Sequence, residues 1–228
     1  MKILFVHHSI GRYCIQGGLR LRLTELSDFA ELWDIDYNRF GAHDGRGLPV
    51  SIPGCVVPND NTNPDGLRGF VDHVFLDVAR EGRPLASLFD VILLKSCYTG
   101  ARIRSDGRLE AYIESGRQMI RILQARDYPA LILTPVPDSP IYSSHRTAMR
   151  AARYAQVISS EAKANGSVRV INLHNKLADS RGFLRPEFRR LAGFDAHPNA
   201  GGISALIELI CAGLIGISTA LSTIAAPD

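Results

Sequence analysis

Short apolar runs alternate along this chain with longer stretches of helical periodicity, the pattern of βαβ units built around a mostly parallel sheet. A first strand is expected over residues 2–7, where Ile3, Leu4, Phe5 and Val6 follow one another without a polar break. A glycine-containing loop over 11–18 then leads to a short helix over 19–27. Residues 31–37 alternate apolar and polar side chains, which predicts a second strand with one face less buried. The segment 38–64 is rich in Gly, Pro, Asn and Asp and reads as one long irregular loop. Loops of that length in a compact fold are usually functional. Further strands are expected over 89–95, 130–134 and 168–173, with helices over 64–81, 109–124 and 144–164 and a final helix after Asn199. The run 89–95 is almost entirely apolar, as a strand covered on both faces must be. The pattern predicts an α/β three-layer sandwich around a mostly parallel, five-stranded sheet. No repeat, low-complexity tract or linker interrupts it, so one domain is expected over 1–228.

The last apolar stretch changes this picture only at its end. Residues 203–226 carry a single charge, Glu208, and are long enough to cross a bilayer. Gly213, Gly216 and frequent Ser and Thr favour instead a helix packed on the sheet, with a core ending near 212 and a small-residue tail over 213–228. No membrane partner is expected.

Ligands of open α/β sheets bind beyond the carboxyl ends of the strands. Four polar clusters fall at such ends: His7-His8-Ser9, Asn38 to Gly41, Lys95-Ser96-Cys97, and Asp195 with His197 before the last helix. Pro198 pushes His197 towards an extended backbone, where residues two apart share a face. Asp195 can then orient the imidazole, whose other nitrogen is free to take a proton from Ser9, the equipment of nucleophilic acyl transfer. The bland alternative is a helix-entry turn with Asp195 capping and Pro198 at the first helical position. His7 and His8 face opposite ways in an extended chain, so one can line the pocket while the other is an interior histidine. Cys97, beside Lys95, is a rival nucleophile or a small packing residue. Lys95 can stabilise an oxyanion or run its stem out to solvent.

Composition narrows the function classes. The 228 residues include 46% hydrophobic and 21% charged residues with a net charge of +3, which fits a globular chain and gives no basic block for nucleic acid. Arg20, Arg22, Arg102, Arg104 and Arg108 are taken as solvated faces. Cys14, Cys55, Cys97 and Cys211 show no CxxC or zinc spacing, and Met1-Lys2 runs directly into the first strand without a cleavage site. A cytoplasmic protein with reduced thiols is expected. There is no G-x-S-x-G, P-loop, G-x-G-x-x-G or H-E-x-x-H, and no cofactor is expected. A metal site from His7 or His8 with Asp195 and His197 lacks a recognised spacing.

A serine ending the first strand, with Asp and His together near the other terminus, resembles the SGNH/GDSL hydrolase superfamily over about residues 2–212. More closely, it resembles a divergent branch opening with His-His-Ser-x-Gly. Here that block is His7-His8-Ser9-Ile10-Gly11, followed by Asp60-Asn61-Thr62-Asn63-Pro64-Asp65-Gly66-Leu67, Lys95-Ser96-Cys97-Tyr98 and Asp195-Ala196-His197-Pro198-Asn199. The resemblance implies a flavodoxin-like topology and an esterase with Ser9 as nucleophile, His197 as base and Asp195 as orienting acid. It also implies an oxyanion hole from the Ser9 amide, a glycine matched here by Gly41, and an asparagine. Cys97 or Ser96 stands where that asparagine belongs, with Lys95 or the loop around Asn61 as substitutes. One residue separates Asp195 from His197, where the superfamily usually has two. A small-molecule or carbohydrate ester, O-acetyl groups first, is the expected substrate. An O-acyltransferase or a catalytically silent binding module would use the same pocket.

Overall fold

The computed structural model describes residues 1–26, 31–37, 39, 41–53, 55–59, 62–77, 84–162, 167–190 and 197–225. Seven strands, β1 (Lys2–His7), β2 (Glu31–Asp36), β3 (Gly41–His43), β4 (Pro49–Val50), β5 (Val91–Lys95), β6 (Ala130–Leu133) and β7 (Val168–Ile171), form one sheet in the order β4-β3-β2-β1-β5-β6-β7. The five expected strands are the parallel ones. The other two correct the reading of 38–64 as wholly irregular: β3 and β4 fold back as an antiparallel edge. Their pairing involves three residues or fewer per strand, too few to leave a periodic signal in the sequence.

Among the parallel strands the order is β2-β1-β5-β6-β7, the flavodoxin-like arrangement, and the chain reverses direction across the sheet between β1 and β5. That crevice is where such sheets bind ligands. It also lies between Ser9, after β1, and Lys95-Ser96-Cys97, at and after β5.

Helices cover both faces. One face carries α3 (Pro64–Phe70), α4 (Asp106–Ala125) and α5 (His145–Ala162), packed on Leu4, Val6, Ile92, Leu94 and Ile132. The other carries α1 (Ser9–Gln16), α2 (Leu19–Thr24), α6 (Leu173–Leu177) and α7 (Ala200–Ala225), packed on Ile3, Phe5, Val91, Leu93 and Leu131. Alternate residues of β1 and β5 thus enter opposite cores, as the period of two requires. Caps mark several helix starts: Asn63 accepts the Gly66 amide, Ser105 that of Arg108, and Asn172 that of Asn175.

Three further expectations change. Residues 11–16 are not part of a loop, because α1 begins at Ser9 and runs through them to Gln16, leaving a turn at Gly17 and Gly18. The 213–225 segment continues α7 rather than forming a tail, and its glycines are contact points. A Cβ at Gly213 would lie 2.9 Å from Leu131, and one at Gly216 would overlap the Arg169 guanidinium. The first part of α7, Ala200–Ile217, is long and apolar enough to cross a membrane, but it contributes Leu206, Ile210 and Leu214 to the core under the sheet. Finally, Asp34 and Asp36 of β2 do not make a less-buried face. Asp34 and Asp36 are each 2% exposed because partners from elsewhere in the chain neutralise them.

Candidate functional site

The site begins where β1 ends. His8 keeps an extended backbone (φ −128°, ψ 175°) and caps α1, so Ser9 is the first residue of that helix. Gly11 makes this turn possible: a Cβ there would lie 2.3 Å from His7 Cβ, closer than packed atoms approach. The Gly11 amide donates to the His8 carbonyl at 2.7 Å. A helix of eight residues leaves its first amides outside its own hydrogen-bond ladder. Ser9 therefore sits at the positive end of α1.

His7 anchors the turn from below. It is wholly buried, and its Nε2 lies 3.1 Å from Asp34 Oδ2. The same carboxylate takes His43 Nδ1 at 3.0 Å and the Arg20 guanidinium. Burial pushes the Asp34 pKa up, but the His7 hydrogen bond and the charges of His7, Arg20 and His43 outweigh it and hold the carboxyl below its usual range. Arg12 Nε donates to Asp36 Oδ2 at 2.7 Å and ties α1 to β2. Arg20 and Arg102, taken from sequence as solvated, are partly buried ion-pair partners, Arg102 holding Asp138 at 2.6 Å.

The far end of the chain reaches the same place. His197 Nε2 lies 2.9 Å from Ser9 Oγ across a sequence separation of 188 residues. The imidazole meets the Tyr13 ring edge-on at 5.1 Å, and the Arg190 guanidinium covers that ring at 4.9 Å. Arg190 Nε also donates to the Pro198 carbonyl. Asn199 fixes the entry to α7, accepting the Gly202 amide and donating to the Glu187 and Arg189 carbonyls at 2.8 and 3.0 Å. The helix-entry cap is therefore Asn199, not Pro198 at the first helical position. A side-chain oxygen there satisfies an open helix amide. Asp195 lies outside the described residues, as do Asn38 and Asn61.

From β5, Cys97 Sγ lies 3.4 Å from His8 Nδ1, and that nitrogen lies 2.8 Å from Ser9 Oγ. His8 is also stacked at a tilt on Tyr37, whose hydroxyl donates to the Lys95 carbonyl at 2.8 Å. The Cys97 amide is taken by the Thr62 carbonyl at 2.9 Å, which brings the long loop to the nucleophile side of the sheet. Lys95 does not run to solvent. Its side chain is buried and its Nζ donates to the Ser96 carbonyl at 3.0 Å. Burial lowers the ammonium pKa, against the opposing influence of Cys97 and Cys14. Lys95, Ser96 and Cys97 line a cavity of about 20 Å³ with Ile10, Val136 and Asp138, room for one water-sized group.

The structure thus gathers Ser9, His8, His197 and Cys97, with Lys95 and Ser96 alongside. Gly41 is elsewhere. It lies in β3 opposite Asp36 and lines a separate cavity of about 480 Å³ with Ala42, Pro49, Val50, Ile52 and Cys55. Gly41 follows the second strand in sequence, but it belongs to β3, which lies between β2 and the edge strand β4. Tyr13, Tyr37, Arg190 and Thr62 were missed as site residues. Only Thr62 carried a signal, as part of the motif around Asn61. Among the described residues no group of His, Cys, Asp or Glu is arranged to hold a metal.

Neither a protein-family model nor a curated protein matches the chain. Solved structures do match. A GDSL-like lipase from Bacteroides thetaiotaomicron superposes with a TM-score of 0.56 at 12% identity, covering 96% of this chain and 88% of that one. The acetyl xylan esterase AlAXEase gives 0.55 at 17% identity over 94% and 100% of the two chains. The lipase/acylhydrolase of Enterococcus faecalis gives 0.54 at 18% over 94% and 95%. At these identities the likeness establishes the fold: this is the SGNH/GDSL hydrolase architecture.

Proposed function

We propose that the chain is a serine ester hydrolase working from this fold, with Ser9 as nucleophile, His197 as general base and acid, and Asp195 as the carboxylate that orients His197. One observation carries the reading: the 2.9 Å hydrogen bond between His197 Nε2 and Ser9 Oγ, joining the two ends of the chain at the crevice where the strand order reverses. That distance is within the range for direct proton transfer. Ser9 attacks the acyl carbonyl as its proton passes to His197, which then delivers the proton to the leaving alcohol. The developing oxyanion is met by the Ser9 amide at the positive end of α1.

The proposed substrate is a short acyl ester, acetyl first, of a carbohydrate alcohol. The fold neighbour described as an acetyl xylan esterase supports testing O-acetylated sugars before long-chain esters. A reducing, cytoplasmic setting is proposed, in keeping with Cys14, Cys55, Cys97 and Cys211 forming no disulfide among the described residues. Release of p-nitrophenol from its acetate, compared between wild type and Ser9→Ala, tests the activity. The expected result is a loss of at least about 1,000-fold in the variant. Equal rates would end the proposal.

A further inference from the structure

Two imidazoles, not one, touch the nucleophile. His8 Nδ1 approaches Ser9 Oγ to 2.8 Å and His197 Nε2 to 2.9 Å. A serine hydroxyl has one proton to give and two lone pairs to receive. If its proton points at one imidazole, the other must be a donor to the oxygen or be left facing a lone pair. The two histidines therefore have different jobs, and their surroundings decide which has which.

The base must hand its proton to a leaving alcohol that departs into the cleft, so it needs access to that cleft. His197 is half-buried, whereas His8 is 7% exposed beneath Tyr37 and Cys97. A positive charge created on His8 would have to be held with little water around it, at substantial cost. A charge on His197 meets solvent. The hydroxyl proton therefore belongs to His197, and His8 is the imidazole that stays neutral.

Resting on the reading of Ser9 as nucleophile, we infer that His8 is a second catalytic imidazole, a neutral Nδ1–H donor to Ser9 Oγ that directs the hydroxyl proton to His197 and stabilises the oxygen as that proton leaves. Cys97 Sγ, 3.4 Å from the same nitrogen, is a weak acceptor sharing that N–H. In acylation the Oγ proton moves to His197 Nε2, the Oγ–carbon bond forms, and the carbonyl electron pair moves to its oxygen. The bond to the leaving alcohol then breaks and the His197 proton goes to the alcohol. The His8 proton stays on Nδ1 throughout. Its hydrogen bond strengthens while Oγ carries partial charge and weakens once Oγ is an ester oxygen. In deacylation Oγ is the leaving atom, and the same donor stabilises its departure. The contact is to the nucleophilic oxygen, so it adds to the oxyanion donors instead of replacing one.

Two measurements test this independently. Long-range 15N–1H correlation spectra of 15N-histidine-labelled protein, assigned with His8→Asn, report the tautomer of His8 above neutral pH. The expected result is a proton on His8 Nδ1 and none on His197 Nε2; a bare His8 Nδ1 overturns the inference, whatever the enzyme does. The second readout is the rate at which a fluorophosphonate labels Ser9. His8→Leu is expected to slow it about 10- to 100-fold, the range for a hydrogen bond to a charged group. His8→Asn, whose amide can place an N–H at the same position, is expected to recover most of it. Wild-type labelling in His8→Leu overturns the inference, as does a loss that His8→Asn shares fully. If His8→Leu does not fold, the tautomer alone decides. No labelling of wild-type Ser9 would overturn the hydrolase reading instead, and the tautomer would still decide the role of His8.

Discussion

Replacing Gly11 by Ala sets helix propensity against packing at the nucleophile. In an unconstrained helix the substitution stabilises by about 1 kcal/mol. Here the new methyl would lie 2.3 Å from His7 Cβ, 2.5 Å from Cγ and 2.8 Å from Nδ1. Ordinary contact is about 3.5 Å, so α1 or His7 must retreat by about 1 Å. His7 has nowhere to go, since it is wholly buried, bonded to Asp34 and packed on Phe5 with ring centroids 4.6 Å apart. Overpacking of this kind costs about 1–3 kcal/mol, which offsets the propensity gain and leaves a net loss of up to about 2 kcal/mol. The helix that moves carries Ser9, and a misplacement of about 1 Å can cost about 100-fold in rate. Urea unfolding and p-nitrophenyl acetate turnover, measured on the same preparation, read both effects. Gly69→Ala is the control: nothing lies within 4 Å of the added methyl, so stability should rise by up to about 1 kcal/mol with turnover unchanged. A Gly11→Ala protein as stable and as fast as wild type would refute the close approach of α1 to β1 and the explanation of the Ser9 turn built on it.

His174 offers a pH test remote from the chemistry. It is buried with both ring nitrogens unpaired, and burial lowers its pKa from 6.5 to about 4. Between those values the unfolded chain binds a proton the folded chain refuses, so stability falls as pH drops from about 6.5 to about 4, by about 3 kcal/mol in all. His174→Leu should remove that part of the slope in urea titrations at a series of pH values; an unchanged slope would show the imidazole is not held neutral. Asp195→Asn should lower kcat by about 1,000- to 10,000-fold through loss of the correct His197 tautomer, with KM little changed. A variant within a few-fold of wild type would remove Asp195 from the mechanism.

Much of the fold was legible because burial writes a period into the chain. The expected strand over 2–7 is β1 to the residue, and the expected helix over 109–124 lies inside α4 (Asp106–Ala125). The errors have physical causes. Gly11 was read as a loop residue, when its missing side chain serves the packing of α1 on His7. The alternation in β2 predicts one less-buried face, but His7, His43, Arg20 and Arg12 converge on Asp34 and Asp36 from 9 to 27 residues away and bury them. β3 and β4 are too short to show a period at all.

By itself the sequence determined the strand ends and hence the places where chemistry can sit, because apolar periodicity is local and survives without knowledge of neighbours. It also singled out Ser9 and His197, since few residue types can attack a carbonyl or shuttle a proton near neutral pH. Only the tertiary structure decided that these two lie 2.9 Å apart, that His8 is a second imidazole on the same oxygen, and that Gly41 belongs to another cavity. Hydrogen-bond contact is a matter of a few tenths of an ångström. Over 188 residues such a distance is set by the packing of every intervening strand and helix, which no local pattern records.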